Sequence, residues 1–405
     1  VDQLPHMLAS LQMLGNQILL PVPDIDRTDL FICLGGNPMA SNGSLMSAPD
    51  FKNRVKAIKK RGKFIVIDPR RTETAKLANE HHFIKPGSDP LLLLAMINVI
   101  AEENLIRLGA IAGFTDGLDE IIALAKPFTP ERVEKETGIS AQTTREMAIQ
   151  FAKTERAVLY ARIGACAQEF GTISLWLVYV LNMITGHFDR AGGYMLPSPA
   201  VDLASLAGAS GATGTFDRSR SRVRDLPEFN GEFPAATMAD EILTEGNGQI
   251  KGMVTVMGNP VLSLPDGQKL DKAFSQLDFF VAVDIYINET TRHADIILPT
   301  TSHLEHSHYD VIFNTLAIRN VAKFSEALFE KPRDAKHDWE ILLELTTRLN
   351  SRDAISSGMA RLQFEFLNRL GADGLLDLGL RLGPYGSKVP GLNSLADVFD
   401  ETRLL

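Results

Sequence analysis

The chain repeats itself. The apolar run Leu30-Phe31-Ile32-Cys33-Leu34 ends in Gly35-Gly36-Asn37-Pro38, and a second run at residues 253–257 ends in Gly258-Asn259-Pro260. In the first copy another apolar run, residues 64–67, ends at Asp68; Glu73-Thr74 follows, then Ala78-Asn79 and Pro86. In the second copy residues 279–283 end at Asp284, with Glu289-Thr290, Ala294-Asp295 and Pro299 behind it. Both copies therefore read Asp, four residues, Glu-Thr, three residues, Ala, then Asn or Asp. Agreement over so many positions identifies a duplicated supersecondary unit.

Short β-rich runs bounded by Gly, Pro or Asp at residues 30–34, 64–67, 158–160, 253–256 and 279–283 predict buried parallel strands. Between them, residues 51–60, 90–103, 141–152, 173–185 and 270–277 carry apolar residues at helical spacing. Strands alternating with helices give an α/β class: two related doubly wound, Rossmann-like parallel-sheet domains. The expected domains are residues 1–155 and 156–330, followed by a tail, 331–405, that is helical over 334–370 and then irregular. Residues 197–216, rich in Ala, Ser, Gly and Pro, predict a long loop. It leads into Arg218, Arg220, Arg222 and Arg224, which form either a solvated basic excursion or a lid or docking surface for an anionic ligand or partner.

A net charge of −9 argues against an extended nucleic-acid surface, which needs clustered cations. The longest apolar stretches, 91–100 and 173–184, are too short to span a bilayer, so the chain is not expected to be transmembrane. With only Cys33 and Cys166 there is no disulfide framework and no four-thiolate metal or cluster site. A reducing, cytoplasmic setting is the expectation. The chain begins at Val1 without a Met, which predicts that the true start lies upstream and leaves periplasmic export open.

Each copy places a Gly-containing turn at the carboxyl end of one strand and an acid at the carboxyl end of the next, the edge where open α/β sheets bind ligands. Glycine permits close backbone approach to a phosphate, a following helix start offers free N–H groups, and an Asp accepts paired hydrogen bonds from ribose or a base edge. Two copies predict two nucleotide-like ligands; the plainer alternative is a turn-and-cap pair that recurs because the fold was duplicated. Arg70, Arg71 and Lys85 add cations at the first edge, suited to a pyrophosphate.

With Gly35-Gly36-Asn37-Pro38, Asp68-Pro69-Arg70-Arg71-Thr72-Glu73-Thr74 and Lys85-Pro86-Gly87-Ser88-Asp89-Pro90 in one order, the chain resembles the formate dehydrogenase and dimethyl sulfoxide reductase superfamily. Met257-Gly258-Asn259-Pro260, Val283-Asp284-Ile285-Tyr286 and Ala294-Asp295 through Pro299, followed by Glu305, are similar to that family's second cofactor half. The resemblance implies molybdenum or tungsten held by two molybdopterin guanine dinucleotides, one nucleotide in each half. It assigns one to Gly35, Gly36, Asn37, Pro38, Asp68, Pro69, Arg70, Thr72, Gly87 and Asp89, and the other to Gly258, Asn259, Pro260, Asp284, Glu289 and Asp295. The stretch from Arg162 to Thr172 is similar to a loop that passes near the metal, so Arg162 and Gln168 are the candidate catalytic residues, contacting pterin or orienting substrate; the alternative is an ordinary loop after a strand. The implied activity is two-electron redox of a small substrate, formate-dehydrogenase-like, with electron-transfer subunits as partners. An iron–sulfur cluster would belong to an N-terminal domain missing from this segment, as a closing C-terminal barrel is missing from its other end.

Departures from the pattern weigh on this reading. Residues 1–10 resemble the segment that supplies a Cys or selenocysteine ligand, but Leu8 stands at the matching position, leaving His6 or Ser10 as substitutes and the protein ligand to the metal unknown. The main rival is therefore a cofactor-free structural subunit similar to the large iron–sulfur subunit of respiratory NADH dehydrogenase. A third reading is another duplicated nucleotide-binding enzyme that holds a plain purine dinucleotide. His303, Glu305, His306 and His308 invite a second metal reading, but loop or strand spacing would scatter them. His81-His82 reads as structural, and Cys166 as a candidate reactive thiol with no paired base in sequence reach.

Overall fold

A computed structural model describes residues 3–351 and 354–386. The chain forms two compact units: one runs to Thr213 and adds Val311–Val321, and the other comprises Gly214–Asp310 and the described residues from Ala322 onward.

The first unit is built on four parallel strands, β1 (Leu30–Leu34), β2 (Lys63–Ile67), β3 (Glu80–His82) and β4 (Ala157–Ala161), in the spatial order β3-β2-β1-β4. Every residue of β1 and β4 is buried, as a parallel sheet covered on both faces requires. The cover comes from α1 (Leu4–Leu14), α2 (Phe51–Arg61), α3 (Asp89–Glu102), α4 (Ala141–Lys153) and α5 (Gly171–Ile184). In α2 only Phe51, Val55 and Ile58 are buried, a single stripe beneath a basic outer face. By contrast α5 is buried on nearly all sides, and its sequence is correspondingly apolar throughout. Phe31 stacks on Phe64 at 5.1 Å across β1 and β2.

The outer edge of β4 is closed by a side chain. Asn182 on α5 accepts from the Leu159 N–H (3.2 Å) and donates to the Leu159 carbonyl (2.9 Å) and to Val178 O (2.8 Å), taking the place of a fifth strand. Asn182→Ala strands two buried backbone groups and is expected to cost about 3 kcal/mol. Urea denaturation measures it, and a loss below 1 kcal/mol would reject this role.

The expected boundary at residue 155 differs from the contacts. β4 pairs with β1 over its whole length, and the first unit continues to Thr213. The repeat covers only β1 to β3, so the sequence carried no marker for the lateral position of the fourth strand.

The second unit repeats the first three strands. Its β5 (Gly252–Val256), β6 (Phe279–Val283) and β7 (Ile296–Leu298) lie parallel in the order β7-β6-β5. Helix α6 (Gly267–Phe274), capped by the Asp266 carboxylate, packs Phe274 on Phe280 at 5.5 Å. Among the described residues no strand pairs with the outer edge of β5, and Val254 and Val256 are exposed instead of buried as expected.

The segment 197–216 is not one loop. Asp202 caps a helix, Leu203–Ser210, by accepting from Ser205 N (3.0 Å). The basic run forms the strand Phe216–Arg220, antiparallel to Pro227–Phe229. Arg218, Arg220 and Arg222 pair with Glu228, Asp217 and Glu241, so the run is neutralised locally. The tail holds α7 (Asp338–Asn350) and α8 (Ala354–Leu382), the latter kinked at Gly371. Helix thus continues past residue 370, where irregular chain was expected; residues 387–405 lie outside the described part. Among the described residues no helix is long and apolar enough to cross a membrane.

Candidate functional site

Parallel strands bring the ends of β1, β2, β3 and β4 to one edge. After β1, Gly35 turns with φ +59° while its N–H donates to Ile67 O (2.9 Å). Its carbonyl accepts from Gly164 N (2.9 Å), in the loop after β4. A Cβ on Gly35 would lie 2.7 Å from Ala165 N, and one on Gly164 would lie 2.9 Å from Gly35 Cα. The close backbone approach anticipated toward a phosphate is made here with the chain's own loop.

Asn37 then builds the turn. Its Oδ1 accepts from Thr74 Oγ1 (2.7 Å) and Thr74 N (3.3 Å), and its Nδ2 donates to Glu73 Oε2 (2.9 Å). Pro38 opens a one-turn helix whose Met39 N–H donates to Thr74 Oγ1 (3.0 Å).

The second unit repeats this network almost bond for bond. Asn259 Oδ1 accepts from Thr290 Oγ1 (2.7 Å), Asn259 Nδ2 donates to Glu289 Oε2 (2.8 Å), and Val261 N, after Pro260, donates to Thr290 Oγ1 (3.1 Å). The place of Gly35 is taken by Met257, with φ +51° and its N–H on Val283 O (2.9 Å). Among the described residues no fourth-strand loop crosses there, so a side chain fits; Gly258 has only ordinary contacts around it.

The acids behave alike in part. Asp68 Oδ1 accepts from Arg70 N (2.8 Å) and Asp284 Oδ1 from Tyr286 N (3.0 Å). Asp68 is buried, and burial holds its carboxyl above the usual range. Asp89, in the first turn of α3, is 4% exposed and pushed up to about 6, first by burial and then by Asp68. Among the described residues neither has an ion-pair partner. Pro69 and Arg70 are exposed beside them, and Gly87 (φ +83°) faces open space, with Gln168 Oε1 4.0 Å from where its Cβ would stand.

Asp68, Arg70, Gly87, Asp89, Arg162 and Gln168 therefore share the carboxyl edge of the first sheet. Thr72 is committed to capping Ala75 N (3.0 Å), and Gln168 Nε2 to Ser174 Oγ (2.9 Å) and Ala165 O (3.2 Å). Asp295 does not belong to the site. It precedes β7, at the amino edge of the second sheet, where its carboxylate accepts from Phe280 N (2.7 Å), just as Asn79 Oδ1 accepts from Phe64 N (2.9 Å).

Residues that sequence reasoning missed include Gly164, which makes the loop crossing, and Ser44, whose Oγ accepts from Arg162 Nε (3.2 Å). Asn42, Gly43 and Ser44 all have positive φ, a strained loop whose only sequence signal is Asn-Gly. On α1, Ser10 Oγ bonds Tyr179 OH (2.8 Å) inside the core and is not available to a metal. His6 Nε2 bonds Ala161 O (3.0 Å), and burial brings its pKa down to about 3, so the ring is neutral. Leu8 is half-buried. His81 Nε2 bonds Asp68 O (3.0 Å), the structural use expected. Among the described residues no three His, Cys, Asp or Glu are grouped as a metal would need.

Comparison with known proteins gives this edge its context. A family model described as "Molybdopterin oxidoreductase" matches residues 3–348. The chain is 28% identical to the assimilatory nitrate reductase catalytic subunit of Bacillus subtilis, over 88% of this chain and 51% of that protein. It is 30% identical to formate dehydrogenase H of Escherichia coli (85% and 48%) and 30% identical to the F420-dependent formate dehydrogenase subunit alpha of Methanocaldococcus jannaschii (82% and 49%). It thus spans about half the length of these relatives. In fold it is similar to acetylene hydratase from Pelobacter acetylenicus, with TM-score 0.69 and 20% identity over 88% of this chain and 50% of that one. A family match over residues 3–348, laid on a duplicated turn-and-acid frame, settles the relationship: the chain belongs to the molybdopterin oxidoreductase family.

Proposed function

We propose that each unit receives the nucleotide end of one molybdopterin guanine dinucleotide, so that the chain forms the cofactor-holding core of a molybdenum or tungsten oxidoreductase catalytic subunit. The observation that carries this is the pair Asp68 and Asp89: two buried carboxylates without an ion-pair partner among the described residues, beside an open glycine at the carboxyl edge. Such acceptors suit the amide and amino hydrogens of guanine or ribose hydroxyls. Arg70 and Pro69 flank the first position, while Gly258, Asn259, Pro260, Asp284 and Glu289 shape the second. When bound, the cofactor supplies the two-electron chemistry, and the chain positions it. The formate dehydrogenases among the relatives support a formate-dehydrogenase-like reaction on a small substrate, and the proposal adds electron-transfer subunits as partners.

One observation favours the rival, a structural subunit without cofactor: Leu8 stands where the family pattern calls for a thiol. Metal analysis with fluorescence of oxidised pterin, on full-length protein purified from its native host, separates the two. About one molybdenum or tungsten and two pterins per chain are expected; folded protein with neither, from a host that makes the cofactor, means the structural subunit.

A further inference from the structure

The second unit holds a cavity of about 790 Å³, lined by none of the residues assigned to the nucleotide edges. Four stretches of chain meet around it: Glu305 to Ser307 beyond β7, Phe324 to Ala327, His337 to Trp339 at the start of α7, and the kink of α8. At that kink Gly371 takes φ +66°, a left-handed conformation that suits glycine, and Asp373 lines the cavity just beyond it.

The lining is aromatic and acidic. Trp339 is half-buried in it, and the His337 ring stacks on Trp339 with centroids 6.2 Å and planes 21° apart; His306 meets His337 edge-on at 6.1 Å. Burial, then Lys331, lowers the pKa of His337, so this wall brings no positive charge of its own at pH 7. Glu305, Glu326, Asp338 and Asp373 supply carboxylates from four separate segments, and no Lys or Arg is among the described residues that line the cavity. Lys331 and Lys336, near by in sequence, are committed to Glu340 and Glu344. Glu305 Oε2 accepts from Ser302 N (2.8 Å), Asp338 Oδ1 from Trp339 N (2.8 Å) and Asp373 Oδ1 from Ser307 Oγ. Among the described residues, Glu305 Oε1 and the Oδ2 atoms of Asp338 and Asp373 make no hydrogen bond or ion pair. Aromatic faces and unpaired carboxylates around one space are two independent attractions for the same kind of ligand, an organic cation.

We propose that this cavity binds an alkylguanidinium cation, either a free small molecule or the arginine side chain of a partner. A guanidinium is planar and stacks on aromatic faces such as those of Trp339 and His337, and its five N–H donors serve several carboxylate oxygens at once, where an ammonium offers a point charge. The volume exceeds that of the cation alone and leaves room for the body that carries it. The site needs no pterin. Its test therefore runs on cofactor-free chain, and failure there leaves the reading of the nucleotide halves standing.

Trp339 is a built-in reporter, because the chain has one other tryptophan, Trp176. Fluorescence of the 405-residue chain carrying Trp176→Phe is titrated with methylguanidinium chloride, N-acetylarginine amide or tetramethylammonium chloride, against sodium chloride at the same ionic strength. If Trp176→Phe does not fold, the difference between the unmodified chain and Trp339→Phe gives the same signal. Methylguanidinium is expected to produce a saturable change that is half complete below about 10 mM, and Glu305→Gln combined with Asp373→Asn should raise that midpoint about tenfold or more. A midpoint about tenfold lower for the arginine amide identifies the side chain of a partner; a similar midpoint identifies the free cation. No saturable change with either guanidinium compound, the same change with tetramethylammonium or sodium chloride, or an unaltered midpoint in the double variant overturns the proposal.

Discussion

Gly35→Ala is expected to destabilise the first unit by about 4 kcal/mol, enough to unfold a marginal domain at 37 °C. Two costs add. A left-handed backbone at φ +59° costs an alanine about 1 kcal/mol, and the new methyl would sit 2.7 Å from Ala165 N, a backbone atom that cannot move without displacing β4. The second unit supplies the control. Met257 holds the equivalent position with φ +51°, 59% exposed, so Met257→Gly relieves strain and loses little packing; a gain of about 0.5–1 kcal/mol is expected. Denaturant unfolding of both variants decides it: similar effects at the two positions would show that the loop crossing at Gly164 is not what requires glycine at 35.

The second large effect concerns pH. Asp89 has a folded pKa of about 6 against an ordinary 3.8, so the native state prefers the protonated carboxyl. Stability from this group is fully present below pH 3.8 and is lost as pH rises through about 6, reaching a deficit of about 2–3 kcal/mol at pH 7. Asp89→Asn keeps the shape and removes the charge. It is expected to stabilise the chain by that amount at pH 7 and to change little at pH 4, while weakening the nucleotide binding proposed above. Equal effects at both pH values would contradict the origin assigned to the shift. An acid retained at such cost is consistent with a site that trades stability for a ligand's hydrogen bonds.

The fold class and the duplication were legible because residues 30–34, 64–67 and 279–283 are uninterrupted apolar runs closed by Gly or Asp, a pattern that buried parallel strands impose. What escaped was lateral. A sequence orders strands along the chain, whereas the pairing of β4 with β1 is decided by packing between distant segments, and the domain limit moved with it. Helix Leu203–Ser210 hid in a small-residue stretch whose one signal was the cap Asp202. Asp295 was misplaced for a reason that sequence position alone contains: it precedes its strand, and in a parallel sheet the residue before a strand lies opposite the residues that follow one. Asn37 and Asn259 stand in the turns that the repeat marked, and their side-chain atoms hold those turns instead of facing outward.

The paired networks around Asn37 and Asn259 draw every bond from the protein itself. Both turns can therefore take their final shape during folding, before any nucleotide arrives. Cofactor insertion into such a chain becomes a docking event with most of its ordering entropy already spent, and loading should leave hydrogen exchange at Thr74 and Thr290 nearly unchanged.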